Sequence, residues 1–213
     1  MDNPRRRRLQ YSLRSLMLAG TLIFCPAAAL FGQAPLSSSD PQFTNDDAAV
    51  YAALFKDLYD PAKDHPIFLI EETAIGVPPG LVAKVDVQGE QTSRFLSHLS
   101  PETKQDYTDR NKEHMRLPSP CRFAPSCVVG DITDLAAKVK NDRAWRGFFK
   151  KYPNSPGLVV VSRIGFNRDH TEAVVYTGRA CGSLCGEGEY ARLVKLNGSW
   201  VVDDHTVVWL SQK

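Results

Sequence analysis

The alternation of apolar and polar positions divides the chain into an uncharged leader, a polar bridge, a helical half and a strand-rich tail. Residues 16–31 run without a charge behind a head that carries Arg5, Arg6, Arg7, Arg8 and Arg14. Residues 35–45 are polar and rich in Pro and Ser, which predicts a flexible lead-in. Thr44 or Asn45 then caps a helix, with Asp46 and Asp47 in its first turn, where the helix dipole favours acids. Tyr51, Leu54, Phe55 and Leu58 recur at i, i+3, i+4 and i+7 as one apolar face, and Asp60-Pro61 ends the helix. Residues 66–73 form a short apolar strand, 77–80 a turn, and 81–87 a second, weakly alternating strand.

Two helices come next. One covers residues 91–99, and the other restarts at Ser100-Pro101-Glu102 as cap, first-turn proline and first-turn acid. The second runs to His114, is polar apart from Tyr107, and belongs on the surface. Residues 117–127 hold three prolines and are irregular. Short helices are expected at 133–139 and 142–152, the latter burying Trp145, Phe148 and Phe149.

The tail gives the clearest pattern. Residues 158–164, 172–177, 190–196 and 200–210 are runs rich in β-branched and aromatic side chains. Asn197-Gly198 joins the last two as a two-residue hairpin, since both positions tolerate positive φ. That loop sets Leu196 opposite Ser199, Lys195 opposite Trp200, Val194 opposite Val201 and Arg192 opposite Asp203. The expected fold is therefore α+β, with N-terminal helices packed on a curved, mostly antiparallel sheet that ends in a four-strand meander. Residues 46–213 form its single domain.

Composition adds a location. The 213 residues are 43% hydrophobic and 23% charged, which excludes wholesale disorder, collagen-like repeats and a polytopic membrane protein. The formal net charge is +2. Residues 1–34 hold five Arg and one Asp, so the remainder carries 21 basic and 23 acidic residues, a net −2. The basicity sits in the leader, and electrostatics argue for no nucleic-acid partner. A basic head, a short apolar run and Ala27-Ala28-Ala29 form a cleavable export signal spanning 1–34. The rival is an uncleaved anchor, but the run is interrupted by Pro26 and falls short of the roughly 20 residues that cross a bilayer. The expected location is periplasmic or secreted, with membrane contact only through the signal.

Four cysteines remain beyond the leader: Cys121, Cys127, Cys181 and Cys185. An even number in an exported chain argues for two disulfides, and local pairing is the simplest of three connectivities. A Cys₄ zinc site is the sharper alternative, although of the spacings x5 and x3 only the second suits it. A redox pair would prefer Cys-x-x-Cys at a helix start. No cofactor is otherwise indicated.

Other chemistry is sparse. The glycines at 182, 186 and 188 lack the Lys-Ser/Thr of a phosphate loop and read as turn residues. Asp203-Asp204-His205 places two acids beside an imidazole, and Glu71-Glu72 ends a strand, so His205, Asp203 and Glu71 are the acid–base candidates. Adjacent strand residues face opposite ways, so Asp204 and His205 do not share a side. His65, His98 and His114 follow no metal spacing, and His170 sits in a turn.

Ser162-Arg163-Ile164-Gly165-Phe166-Asn167, Ala173-Val174-Val175-Tyr176, Cys181-Gly182-x2-Cys185-Gly186-x-Gly188 and Gly198-x-Trp200 resemble the tail of a group of uncharacterised exported bacterial proteins. The resemblance covers about the last seventy residues and implies a family without an activity. The layout also resembles cystatin-like and nuclear-transport-factor-like folds, which host enzymes and binding modules alike. Two functions are weighed. The first is a non-catalytic exported domain that binds a small molecule, peptide or cell-envelope component on its sheet. The second is a small hydrolase or isomerase drawing on His205, Asp203 or Glu71 inside an α+β cone. A zinc or thiol role for the cysteines is the third alternative.

Overall fold

Thr44 sets the first helix. It caps α1 (Asn45–Leu58), its hydroxyl accepting from the Asp47 N–H while the Asp47 carboxylate accepts the Thr44 N–H. Asp47 is fully buried and also receives Arg110 at 3.1 Å, so this first-turn acid anchors the helix as well as complementing its dipole. This computed structural model describes residues 42–59, 66–74, 89–124, 126–182 and 184–211. Residues 1–34, expected to be an export signal, the expected turn at 77–80, the possible strand 81–87 and most of the lead-in lie outside them, as do Cys25 and His65.

Among the described residues, seven strands form one sheet: β1 (Ile67–Ile70), β2 (Cys127–Gly130), β3 (Leu158–Val161), β4 (Gly165–Phe166), β5 (Glu172–Gly182), β6 (Cys185–Leu196) and β7 (Ser199–Ser211). Their order is β2-β1-β3-β5-β6-β7, with β4 also paired to β5. The three long C-terminal strands are antiparallel, whereas β1 runs parallel to both β2 and β3. The remaining helices are α2 (Gly89–His98), α3 (Pro101–Arg110), α4 (Ile132–Ala137) and α5 (Asp142–Lys151). The architecture is α+β, with a mostly antiparallel sheet and a C-terminal meander.

The period-2 alternation of the strands divides the core. Ile67, Leu69, Val159, Val161, Ala173, Val175, Ala191 and Leu193 point to one face and pack against Val50, Tyr51, Leu54 and Phe55 of α1. The Tyr51 hydroxyl donates to the Ser162 carbonyl at 2.8 Å and ties helix to sheet. On the opposite face, Phe68, Ile70, Leu158, Val160 and Ala180 meet Leu135, Trp145 and Phe148 of α4 and α5. Phe95 and Leu99 at the α2 end pack on Val174 of the same face. Phe149, expected in the core, is only partly buried beside Trp145.

Four departures from the sequence pattern have local causes. Residues 158–164 do not form one strand: the Ser162 hydroxyl takes the Tyr176 N–H and donates to the Arg163 carbonyl, so β3 breaks before β4. The glycine-rich stretch is strand instead of loop, because a Cβ at Gly188 would collide with the Trp209 indole and the Tyr176 hydroxyl. Strand β2 starts at the last residue of the proline-rich region, where Ile67 pairs with Cys127. Finally, Asp203 is not opposite Arg192. A bulge inserts it, and Arg192 stands opposite Asp204.

Candidate functional site

The β6–β7 hairpin turns on Asn197 and Gly198, with φ of 50° and 81°, and its first three cross-strand pairs are those the loop chemistry dictates. The Arg192–Asp203 ion pair forms all the same, because the bulge re-aims the aspartate. Arg192 also grips Glu172 through Nε and Nη2, each at 3.0 Å. The other Glu172 oxygen accepts from the Ser100 N–H at 2.9 Å and the Thr103 hydroxyl at 2.6 Å. Burial would raise this carboxyl, but the donations from Thr103, Ser100 and Arg192 outweigh it and hold the pKa below its ordinary 4.5. Ser100 caps α3, so the network clamps that helix to the sheet. It is structural.

The three acid–base candidates do not converge. Glu71 follows β1 and faces Arg116 at 3.5 Å, four strand positions from β7 and so roughly 19 Å away. Asp203 is occupied by Arg192. His205 is exposed and stands opposite Ala191, on the α1 side of the sheet. Asp204 turns the other way, with its carboxylate 3.9 Å from His98 of α2.

His205 does have a carboxylate neighbour that the sequence did not single out. On the same side of the sheet, Thr177 stands opposite Glu189 and Arg179 opposite Glu187, with an Arg179–Glu187 ion pair of 2.6 Å. Burial pushes the Glu189 carboxyl above its ordinary value, Glu187 adds to this, and His205 and Arg179 pull against it. Tyr59, at the end of α1, lies over this cluster, its hydroxyl raised by burial. Glu189 would have been visible in the sequence had β6 been carried back through its glycines, since it then falls two positions from core Ala191.

Two grooves line the helices. One, of about 670 Å³, lies between α3 and the turn after β4. Several of its polar side chains are already committed. Asp106 accepts the Phe166 N–H at 2.8 Å, Glu102 the Arg168 N–H at 3.2 Å, and His170 stacks on Phe166 while bonding Asp46 at 2.8 Å. These contacts shape the Gly-Phe-Asn turn.

The second groove, of about 610 Å³, lies between α2 and β7. Gln91, Arg94, Phe95 and His98 come from successive turns of α2, and Asp204, His205, Thr206, Val207 and Leu210 come from β7. Phe95 is buried and supplies an aromatic floor, while Arg94 and His98 are exposed at the rim. The groove touches both Asp204 and His205 because it wraps the outer edge of β7, which among the described residues pairs with β6 alone.

The cysteines form two local bridges, Cys121–Cys127 and Cys181–Cys185, with Cα separations of 5.8 and 5.0 Å. The first joins the irregular segment to β2, and the second closes the tip of the β5–β6 hairpin. All four sulfurs are consumed, so the Cys₄ zinc arrangement is not formed, and among the described residues no group of three or more His, Cys, Asp or Glu is placed for a metal. His114 bonds the Thr73 carbonyl at 2.6 Å and takes no part in any of these clusters. Two disulfides point to an oxidising compartment. Among the described residues no helix is long and apolar enough to cross a membrane. No protein-family model, curated protein or solved structure matches the chain.

Proposed function

We propose that the chain is an exported binding domain without catalysis of its own, and that its ligand site is the groove between α2 and β7. The groove itself carries the reading. Its volume of about 610 Å³ falls within the range of ligand sites, and it combines a buried aromatic base at Phe95 with polar groups at its rim. The dispersal of Glu71, Asp203 and His205 supports binding over catalysis. The basic head and apolar run of the leader, together with the two bridges, support export. The ligand classes in question are small molecules, peptides and cell-envelope components.

A thermal-shift screen of those three classes tests this, run on the wild type beside Arg94→Glu and His98→Glu, both exposed substitutions that leave the core alone. A ligand raises the wild-type Tm, and either variant weakens it about tenfold, the equivalent of about 1.4 kcal/mol. Binding that both variants leave untouched overturns the groove as the site.

One observation favours a second reading, an acid–base enzyme: the Glu189 carboxyl with its raised pKa lies beside His205. Its test is turnover that Glu189→Gln and His205→Gln each abolish and Arg94→Glu spares. Absence of turnover across ester, glycoside and amide substrates removes it.

A further inference from the structure

We infer that the groove's occupant is an extended polypeptide, which pairs with β7 and adds an eighth strand to the sheet. The inference rests on the groove reading above and names its ligand class. Strand β7 spans Ser199–Ser211 at one end of the sheet, and among the described residues its partner is β6 alone. Apart from the His205 N–H, which donates to the Asp204 carboxylate at 2.9 Å, the outer edge of such a terminal strand offers N–H and C=O groups as a template for another chain.

The shape of the groove points the same way. Its helix wall runs from Gln91 to His98, roughly 10 Å at 1.5 Å per residue. Its strand wall runs from Asp204 to Leu210, roughly 20 Å at 3.3 Å per residue. The result is a trough bordered along its length by a strand edge, which suits three to six extended residues better than a compact molecule. Its fixed charges, Arg94 and Asp204, balance, so the trough offers no net field to select an ion. A neutral backbone that both donates and accepts is the complementary chemistry. Alternate side chains of the peptide then meet Phe95 on the α2 side of the sheet, and Val207 and Leu210, which stand opposite Glu189 and Glu187, on the α1 side.

The two irregularities of β7 limit this pairing. Register shifts occur between Arg192 and Leu193 and again between Gly188 and Glu189 of β6, which leaves Asp204–Val207 as the regular stretch between them. Bulges of this kind discourage open-ended edge pairing. They confine recruitment to the window that the groove borders, so the domain takes a short segment without polymerising.

The test uses the full chain and a pool of random heptapeptides, acetylated and amidated at their ends. Selected peptides are re-synthesised with N-methyl groups on one or the other set of alternate residues. Strand addition predicts that methylating one set weakens binding about tenfold or more while the other set is tolerated, since a strand turns alternate N–H groups to its partner. Arg94→Glu weakens the unmodified peptide as well. Failure to enrich any peptide, or equal tolerance of both methylated sets, overturns the inference. If a small molecule binds with Arg94→Glu sensitivity and no peptide does, the peptide proposal falls and the groove reading stands. If peptides bind and Arg94→Glu and His98→Glu both leave them unaffected, the groove reading falls too.

Discussion

Single residues decide where this chain departs from a generic α+β protein. Glu172 accepts from Ser100, Thr103 and Arg192, and its pKa lies below 4.5 as a result. A depressed folded pKa adds stability above the ordinary value, and that stability is lost as pH falls through the folded pKa. Glu172→Gln is therefore expected to lower the stability at pH 7 by about 2 kcal/mol, and the difference between variant and wild type should shrink below about pH 4 in paired urea melts. Glu189 has the opposite sign. Its raised pKa means that ionisation costs folding stability at neutral pH. Glu189→Gln should raise Tm at pH 7 by roughly 1–3 °C and leave it unchanged near pH 4, as calorimetry at the two pH values would read. The same raised carboxyl beside His205 is what carries the second functional reading.

Among the elements, the long meander strands are held by glycines that the sequence presents as turn signals. Gly188 leaves room for the Trp209 indole, which donates to the Tyr176 hydroxyl at 2.8 Å. Gly188→Ala should cost about 2 kcal/mol through overpacking and lower Tm by roughly 4–8 °C, whereas Gly147→Ala, with open space around it inside α5, should gain about 0.5–1 kcal/mol. At the hairpin tip, the Cys181–Cys185 bridge closes a short loop, so the double serine variant should lose about 2 kcal/mol in denaturant melts. These elements also mark how far the sequence can be read. The helix at 45–58, the cap at Ser100, the Asn197-Gly198 hairpin and the cysteine pairing all follow from local chemistry and are found where that chemistry puts them. The break at Ser162, the strand character of Gly186 and Gly188, and the bulge at Asp203 depend on partners 14 to 33 residues away or on the opposite strand, and no local pattern encodes them. The groove was out of reach for the same reason, because it joins Phe95 to a strand more than a hundred residues later. His205 alone drew attention from both directions.

At the scale of the molecule, among the described residues, the sheet is covered by α1 on one face and by α2, α3, α4 and α5 on the opposite face, and its long margin without a further partner strand is β7. The other terminal strand, β2, has four residues and is tied by Cys121–Cys127, so it offers little to a partner. We propose that the outer edge of β7, beside a trough floored by Phe95, is where this fold takes a ligand, and the net −2 of residues 35–213 leaves hydrogen bonding and apolar contact to supply the affinity. Backbone amide exchange along β7, measured with and without the tightest heptapeptide, tests that claim most directly. The account predicts that bound peptide slows exchange in Asp204–Val207 by about tenfold or more and leaves β2 unchanged. Saturating peptide that leaves β7 exchange as it was would contradict it.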